Sequence, residues 1–257
     1  MSNLDESIED TNVPYLEEIL NYLPISAVDK EDVSLYVRNI TNLISVNYRY
    51  EQYQFAYFGL HLLYMTYIYF TVWKISKVIP DRYKDATVFA RVYNNRELEF
   101  LNIESIFQYS LVPEKELPKI FKLIDLDGGQ LGIISGLVDT RNDMAHATGK
   151  FEIPNDTEFE SRANSICTSI RNIHKCMTDQ IKSWYQDILL KYCSGEFESY
   201  IDDNDFIFEQ MIQNFNLSVN ELFVCNEMSI RELTTANPII RDKLISFKKS
   251  LRIYCEN

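Results

Sequence analysis

Residues 157–188, TEFESRANSICTSIRNIHKCMTDQIKSWYQDI, decide the fold of this chain. Phe159, Ala163, Ile166, Ile170, Ile173, Met177, Ile181, Trp184 and Ile188 recur every three or four residues, the spacing that lines side chains along one stripe of an α-helix. The stretch spans roughly eight turns at about 3.6 residues each. Thr157-x-x-Glu160 reads as a capping box that satisfies the first free backbone N–H groups. An apolar stripe of this length has to be covered by other helices.

Those covering helices can be read on either side. Tyr53 to Trp73, YQFAYFGLHLLYMTYIYFTVW, is apolar all round and long enough to span a bilayer. Tyrosines 57, 64, 67 and 69 run through its middle, whereas membrane helices keep Tyr at their interfaces. The expectation is therefore a helix buried in a helical core, stopping before Pro80, with no membrane partner. Val33, Val37, Ile40 and Ile44 predict a helix before it, and residues 15–22 a short one in an acidic leader spanning 1–30. Tyr83, Ala86, Phe89, Ala90 and Tyr93 share one face of the polar segment 81–96. A further helix is expected over Leu98–Tyr109, and Pro113 and Pro118 interrupt a short one that includes Ile120 and Leu123. Gly128-Gly129 is a breaker, after which Leu131, Ile134, Val138, Arg141 and Ala145 form another stripe that Gly149 can end. Gly195 marks a boundary. Beyond it, capping boxes at Ser218-x-x-Glu221 and Ser229-x-x-Glu232 predict two short helices, and Pro238 opens a last helix with a basic end.

The expected class is all-α, a helical bundle with N- and C-terminal helical extensions, divided at 1–48, 49–195 and 196–257. The composition agrees. The chain has 257 residues, 46% of them hydrophobic, which excludes intrinsic disorder, and only seven Gly and seven Pro, too few for a many-turned β architecture. The net charge of −13 confines any polyanion binding to a local basic patch. Cys167, Cys176, Cys193, Cys225 and Cys255 are odd in number and scattered, so reduced thiols in a cytoplasmic protein are expected, with no zinc site and no disulfide framework. The acidic opening MSNLDESIED lacks the apolar run of a secretory signal.

The usual chemical signatures are missing. No phosphate-loop GxxxxGK[ST], no GxGxxG, no H-E-x-x-H and no G-x-S-x-G appears, so neither a cofactor nor a metal is expected. Of the three histidines, His61 inside the aromatic helix and His174 beside the stripe Ile170–Ile173–Met177 read as structural. His146 differs by its company, Arg141-Asn142-Asp143-Met144-Ala145-His146, a polar cluster at the end of an apolar helix. Arg141 falls on the inward stripe, where a guanidinium needs an anionic or hydrogen-bonding partner. Asn142 and His146 are four apart and share a helix face, so Asn142 can orient the imidazole. Asp143 can accept from Arg141. A helix C-terminus decorated with dipole-complementing residues is the plain alternative.

The segment LVDTRNDMAHATG resembles the signature of the HEPN superfamily, an Arg followed after four to six residues by His, often beginning Arg-Asn, near a helix end in an all-α bundle. The likeness covers the motif closely and roughly residues 50–193 as architecture. A variant with Tyr two residues after the His is excluded, because Thr148 stands there, which argues against the toxin subgroup that pairs with a nucleotidyltransferase antitoxin. The resemblance implies a metal-independent endoribonuclease of bacterial defence or growth arrest, with an antitoxin or regulatory partner possible. It further implies a homodimer that pools two copies of the motif, with Arg141, His146, Asn142 and Asp143 as the catalytic set. The chemistry is self-consistent. RNA brings its own 2′-hydroxyl nucleophile, a His near its ordinary pKa moves protons, and an Arg fork matches phosphate. Arg162, Arg171, Lys175 and Lys182 follow on the next helix, and Arg171 and Lys175, four apart, are the expected RNA contacts. A non-catalytic helical module that binds nucleotide, RNA or protein through the same cleft is the other reading.

Overall fold

The computed structural model describes residues 12–26, 31–88, 100, 102–145, 153–197, 200–229, 231, 233 and 240–256. In chain order its α-helices are α1 (Leu16–Leu20), α2 (Glu31–Arg49), α3 (Tyr53–Val78), α4 (Pro80–Thr87), α5 (Gly128–Ala145), α6 (Asp156–Ser194), α7 (Asp203–Phe206), α8 (Val219–Glu227) and α9 (Arg241–Glu256). Two 3-10 helices, Ile106–Leu111 and Leu117–Ile124, lie between α4 and α5, and α7 runs on as a π-helix over Ile207–Asn214. Among the described residues there is no sheet, and one isolated bridge joins Pro24 to Ser218. The protein is all-α.

The aromatic helix α3 is the axis of the fold. It packs on α2, α6, α5, α4, α1 and both 3-10 helices, and 18 of its 26 residues are buried. Its apolar content is thus used inside the protein, and its tyrosines find polar partners there. The Tyr64 hydroxyl lies 2.8 Å from Ser169 Oγ, and Tyr67 donates to the Ile170 carbonyl at 3.3 Å. Gly59 lets α2 approach, since a Cβ there would lie 2.5 Å from Ile44 Cγ1.

The long amphipathic helix α6 bears out its stripe through Ile181. Further on, the buried positions become Tyr185, Leu189 and Tyr192, and Trp184 and Ile188 are only half-buried, because a 3.6-residue period drifts against the assumed spacing. The N-cap is Asn155, whose side chain accepts from the Glu158 N–H, so Thr157 already lies inside the first turn. Gly195, at φ 89°, ends the helix in the left-handed conformation.

Other expectations need correction. The helix expected over Leu98–Tyr109 is replaced, in its described part, by the 3-10 helix that starts at Ile106. Ser105 caps it, with Gln108 completing a capping box. Gly128 and Gly129 open α5, and Asp127 Oδ1 accepts from the Gln130 N–H just ahead of them. The box at Ser218 is formed in full. Glu232, Pro238, Gly149 and residues 89–96 lie outside the described residues. In the described part of the leader, Val13, Leu16, Ile19 and Leu23 are buried in the main cluster.

Candidate functional site: the cavity at Arg141

The last two turns of α5 are covered by the loop 112–116, which carries Pro113. Two ion pairs staple loop to helix: Lys115 with Asp139 and, deeper, Arg141 with Glu114. Arg141 Nη2 donates to Glu114 Oε2, with both side chains largely shielded from solvent. This is the anionic partner that the inward position of Arg141 requires. Arg141 Nε is buried without a hydrogen-bond partner.

Behind Glu114 lies His61 of α3. The imidazole is fully buried, and its Nε2 is 3.5 Å from Glu114 Oε2, too long for a well-made hydrogen bond. Both ring nitrogens lack a hydrogen-bond partner. Burial pushes the His61 pKa down, with Glu114 opposing and Arg141 reinforcing the shift, so the ring is neutral near pH 7. Burial alone would raise the Glu114 carboxyl, but His61 and Arg141 more than offset this and hold it below the usual carboxylate range. With His61 neutral, the permanent partner of that carboxylate is Arg141.

Arg141 and Asn142 line an open cavity of about 510 Å³, together with Tyr69, Ser110, Val138 and the Pro113–Glu116 loop. Asp143 is half-buried on the same turn and is not among the cavity's lining residues. His146 falls outside the described residues, so the pairing of Asn142 with His146 has no described geometry.

Arg171 and Lys175 are elsewhere. Asn172 donates to Gln130 Oε1 at 2.9 Å, which sets this part of α6 level with the start of α5. Arg141 is further along α5 by eleven residues, about 16 Å of helix at 1.5 Å per residue. Arg171 is gripped at both ends of its fork by Glu18 of α1, at 2.6 Å each. Lys175 faces a cavity of about 390 Å³ that it shares with Asp125, Asp127 and Asp179. Neither residue joins the Arg141 site. The basic residue of α6 nearest in register is Arg162, which pairs with Glu158 and stands 5.9 Å over the Tyr57 ring, one turn from His61.

Sequence reading missed Glu114 and its contact with His61. The demand for a carboxylate at Arg141 was legible, but nothing in the spacing selects Glu114 among 38 acidic residues. Among the described residues no group of three or more His, Cys, Asp or Glu could hold a metal ion.

Fold and site together define an all-helical protein with an arginine-bearing cavity at one helix end. No protein-family model, characterised protein or solved structure matches the chain.

Proposed function

We propose that the protein is a metal-independent endoribonuclease of the HEPN type. The observation that carries this reading is the position of Arg141, oriented by Glu114 on the wall of an open cavity that Asn142 shares. A guanidinium has five N–H donors, and Glu114 engages one nitrogen, so donors remain for a phosphate. The 2′-hydroxyl attacks the adjacent phosphorus, the P–O5′ bond breaks, and His146 moves the proton between these oxygens. Arg141 neutralises charge on the pentacoordinate phosphate. The products are a 2′,3′-cyclic phosphate and a 5′-hydroxyl. One motif supplies one such histidine, and a homodimer bringing two motifs into one cleft supplies the second. The setting is the bacterial cytoplasm, in defence or growth arrest, with an antitoxin-like or other regulatory protein as partner.

Purified protein incubated with RNA and EDTA tests this. Wild type should cleave, and His146→Ala and Arg141→Ala should each lose about 100-fold or more, the usual scale for removing a proton-transfer or charge-stabilising group. Equal cleavage by all three, or cleavage abolished by EDTA, removes the mechanism. The Arg141–Glu114 pair also suits a non-catalytic module that binds a phosphate-bearing ligand. That reading requires Arg141→Ala to weaken RNA affinity while His146→Ala leaves it unchanged.

A further inference from the structure

A second cavity, of about 640 Å³, lies on the other side of the 3-10 helix Ile106–Leu111. Ser105 to Phe107 face it, whereas Ser110 and the loop that follows face the Arg141 cavity. Its walls come from three parts of the chain. Phe70, Trp73 and Lys77 stand on α3 and Phe107 on the 3-10 helix, while Ser26, Asn214 and Asn216 belong to segments outside 49–195. This site therefore lies where segments outside 49–195 close over α3 and the 3-10 helix, and it shares no lining residue with the Arg141 cavity.

The wall includes an uncommon backbone geometry. Its far side is the C-terminal end of the π-helix Ile207–Asn214, a geometry that is rare and gathers at functional positions. Immediately after it, Asn216 takes a left-handed φ of 58°, the helix-ending conformation that Gly and Asn commonly supply. It is held there by a buried hydrogen bond from Ser26 Oγ to Asn216 Oδ1 at 2.7 Å, beside the Ile25 N–H to Leu217 carbonyl bond at 3.0 Å.

The lining offers four kinds of contact at once. Trp73, Phe70 and Phe107 supply aromatic faces. Asn214, exposed at this wall, supplies amide chemistry suited to a hydrogen-bonding ring edge. Lys77 supplies one exposed cation, its Nζ 5.3 Å above the Trp73 ring. Glu104 supplies a carboxylate for hydroxyl donors. A purely apolar ligand would leave the amide and both charges unmatched. A bare phosphate would leave the aromatic faces unused, and a quaternary amine would bring a second positive charge beside Lys77. A flat heteroaromatic ring joined through a hydroxylated sugar to an anion matches all four.

We propose that this cavity binds a nucleotide, with its base against the aromatic faces, its sugar hydroxyls towards Glu104 and its phosphate on Lys77. The nucleotide is either a free mononucleotide or one unit of an RNA strand, and the chemistry of the pocket is the same for both. The site stands independently of Arg141 and of nuclease activity.

The chain has two tryptophans, and both report on this place. Trp73 lines the cavity, and Trp184 is stacked on Phe215 at 3.7 Å between ring centroids, with Phe215 in turn 6.3 Å from Trp73. The full chain is titrated with AMP and UMP, and in parallel with adenosine, ribose 5-phosphate and a 2′-O-methyl oligoribonucleotide that resists cleavage, following tryptophan emission. Saturable quenching by a mononucleotide or by the oligonucleotide is expected, with the first identifying a free nucleotide and the second alone identifying an RNA strand. Lys77→Ala should raise the dissociation constant of the quenching ligand at least 10-fold with little effect on adenosine, and Lys77→Arg should restore most of it. Arg141→Ala lies outside this cavity and should leave the quenching by AMP or UMP unchanged, so the mononucleotide outcome is separate from that of the cleavage assay. The proposal is overturned if neither ligand quenches, or if Lys77→Ala binds as tightly as wild type.

Discussion

At the scale of the residue, the Arg141–Glu114 contact makes two opposing contributions. Glu114 fixes the guanidinium, and it also occupies charge that an incoming phosphate would use. Glu114→Gln should therefore tighten RNA binding and slow turnover, with KM and kcat both falling, kcat by about 10-fold or more for a misoriented group. Unchanged kcat with unchanged KM would show that Glu114 does not act on the site. His61 makes a separate prediction. Its pKa in the folded protein lies below the unfolded value of about 6.5, so the unfolded chain takes up the proton first. The stability gained from keeping the ring neutral is present above about pH 6.5 and is lost as pH falls below it. Burial depresses the pKa of His174 as well, with the same sign. Glu114 and Glu18, both held low, lose their contributions only below about pH 4.3. Urea midpoints at pH 7.5 and 5.5 thus isolate the histidines, and His61→Gln should lose less stability across that interval than wild type does. An identical loss in both proteins would contradict the assignment. None of this was visible from spacing, because His61 and Glu114 are 53 positions apart and meet only when α3 and the loop 112–116 are packed.

At the scale of the element, periodicity foretold α2, α5 and α6, whose apolar stripes are spaced by helix geometry, and α3 was legible as a long run apolar on every face. Periodicity failed over Leu98–Tyr109, where the described residues form a tight 3-10 turn held by Ser105 and Gln108, a local hydrogen-bond solution with no apolar stripe of its own. It also gave no sign of the ion pair that joins α3 to α8. Lys74 and Glu221 meet with both side chains buried, and Glu221 additionally accepts from the Ser218 N–H at 2.8 Å. Burial drives the Lys74 pKa down and Glu221 pulls it back. Removing only the lysine leaves a buried carboxylate uncompensated, so Lys74→Met should destabilise by about 3–5 kcal/mol. Adding Glu221→Gln removes the stranded charge and keeps an oxygen for the Ser218 N–H. The double variant should therefore be more stable than Lys74→Met alone in urea unfolding. A double variant less stable than the single one would mean that the pair is not what joins the helices.

At the scale of the whole molecule, the question is how a chain of net charge −13 could hold a polyanion. Among the described residues several cations are committed internally: Arg141 to Glu114, Arg162 to Glu158, Arg171 to Glu18, Lys191 to Asp187 and Lys74 to Glu221. RNA binding, if it uses few phosphate contacts, depends weakly on salt, with a slope of about −0.7 in log affinity against log salt for each contact on a single strand. The Glu18–Arg171 clamp is the place to alter that. Glu18 belongs to α1, whose neighbours Leu16 and Ile19 are part of the core, so deleting residues 1–30 would remove packed side chains along with the charge. Glu18→Gln removes the charge alone and frees an exposed guanidinium. If the Arg171 face meets RNA, this variant should bind several-fold tighter at low salt and steepen the slope by about 0.7, and Glu18→Gln/Arg171→Gln should return both to the wild-type values. If Glu18→Gln binds with wild-type affinity and slope, the strand does not reach this face.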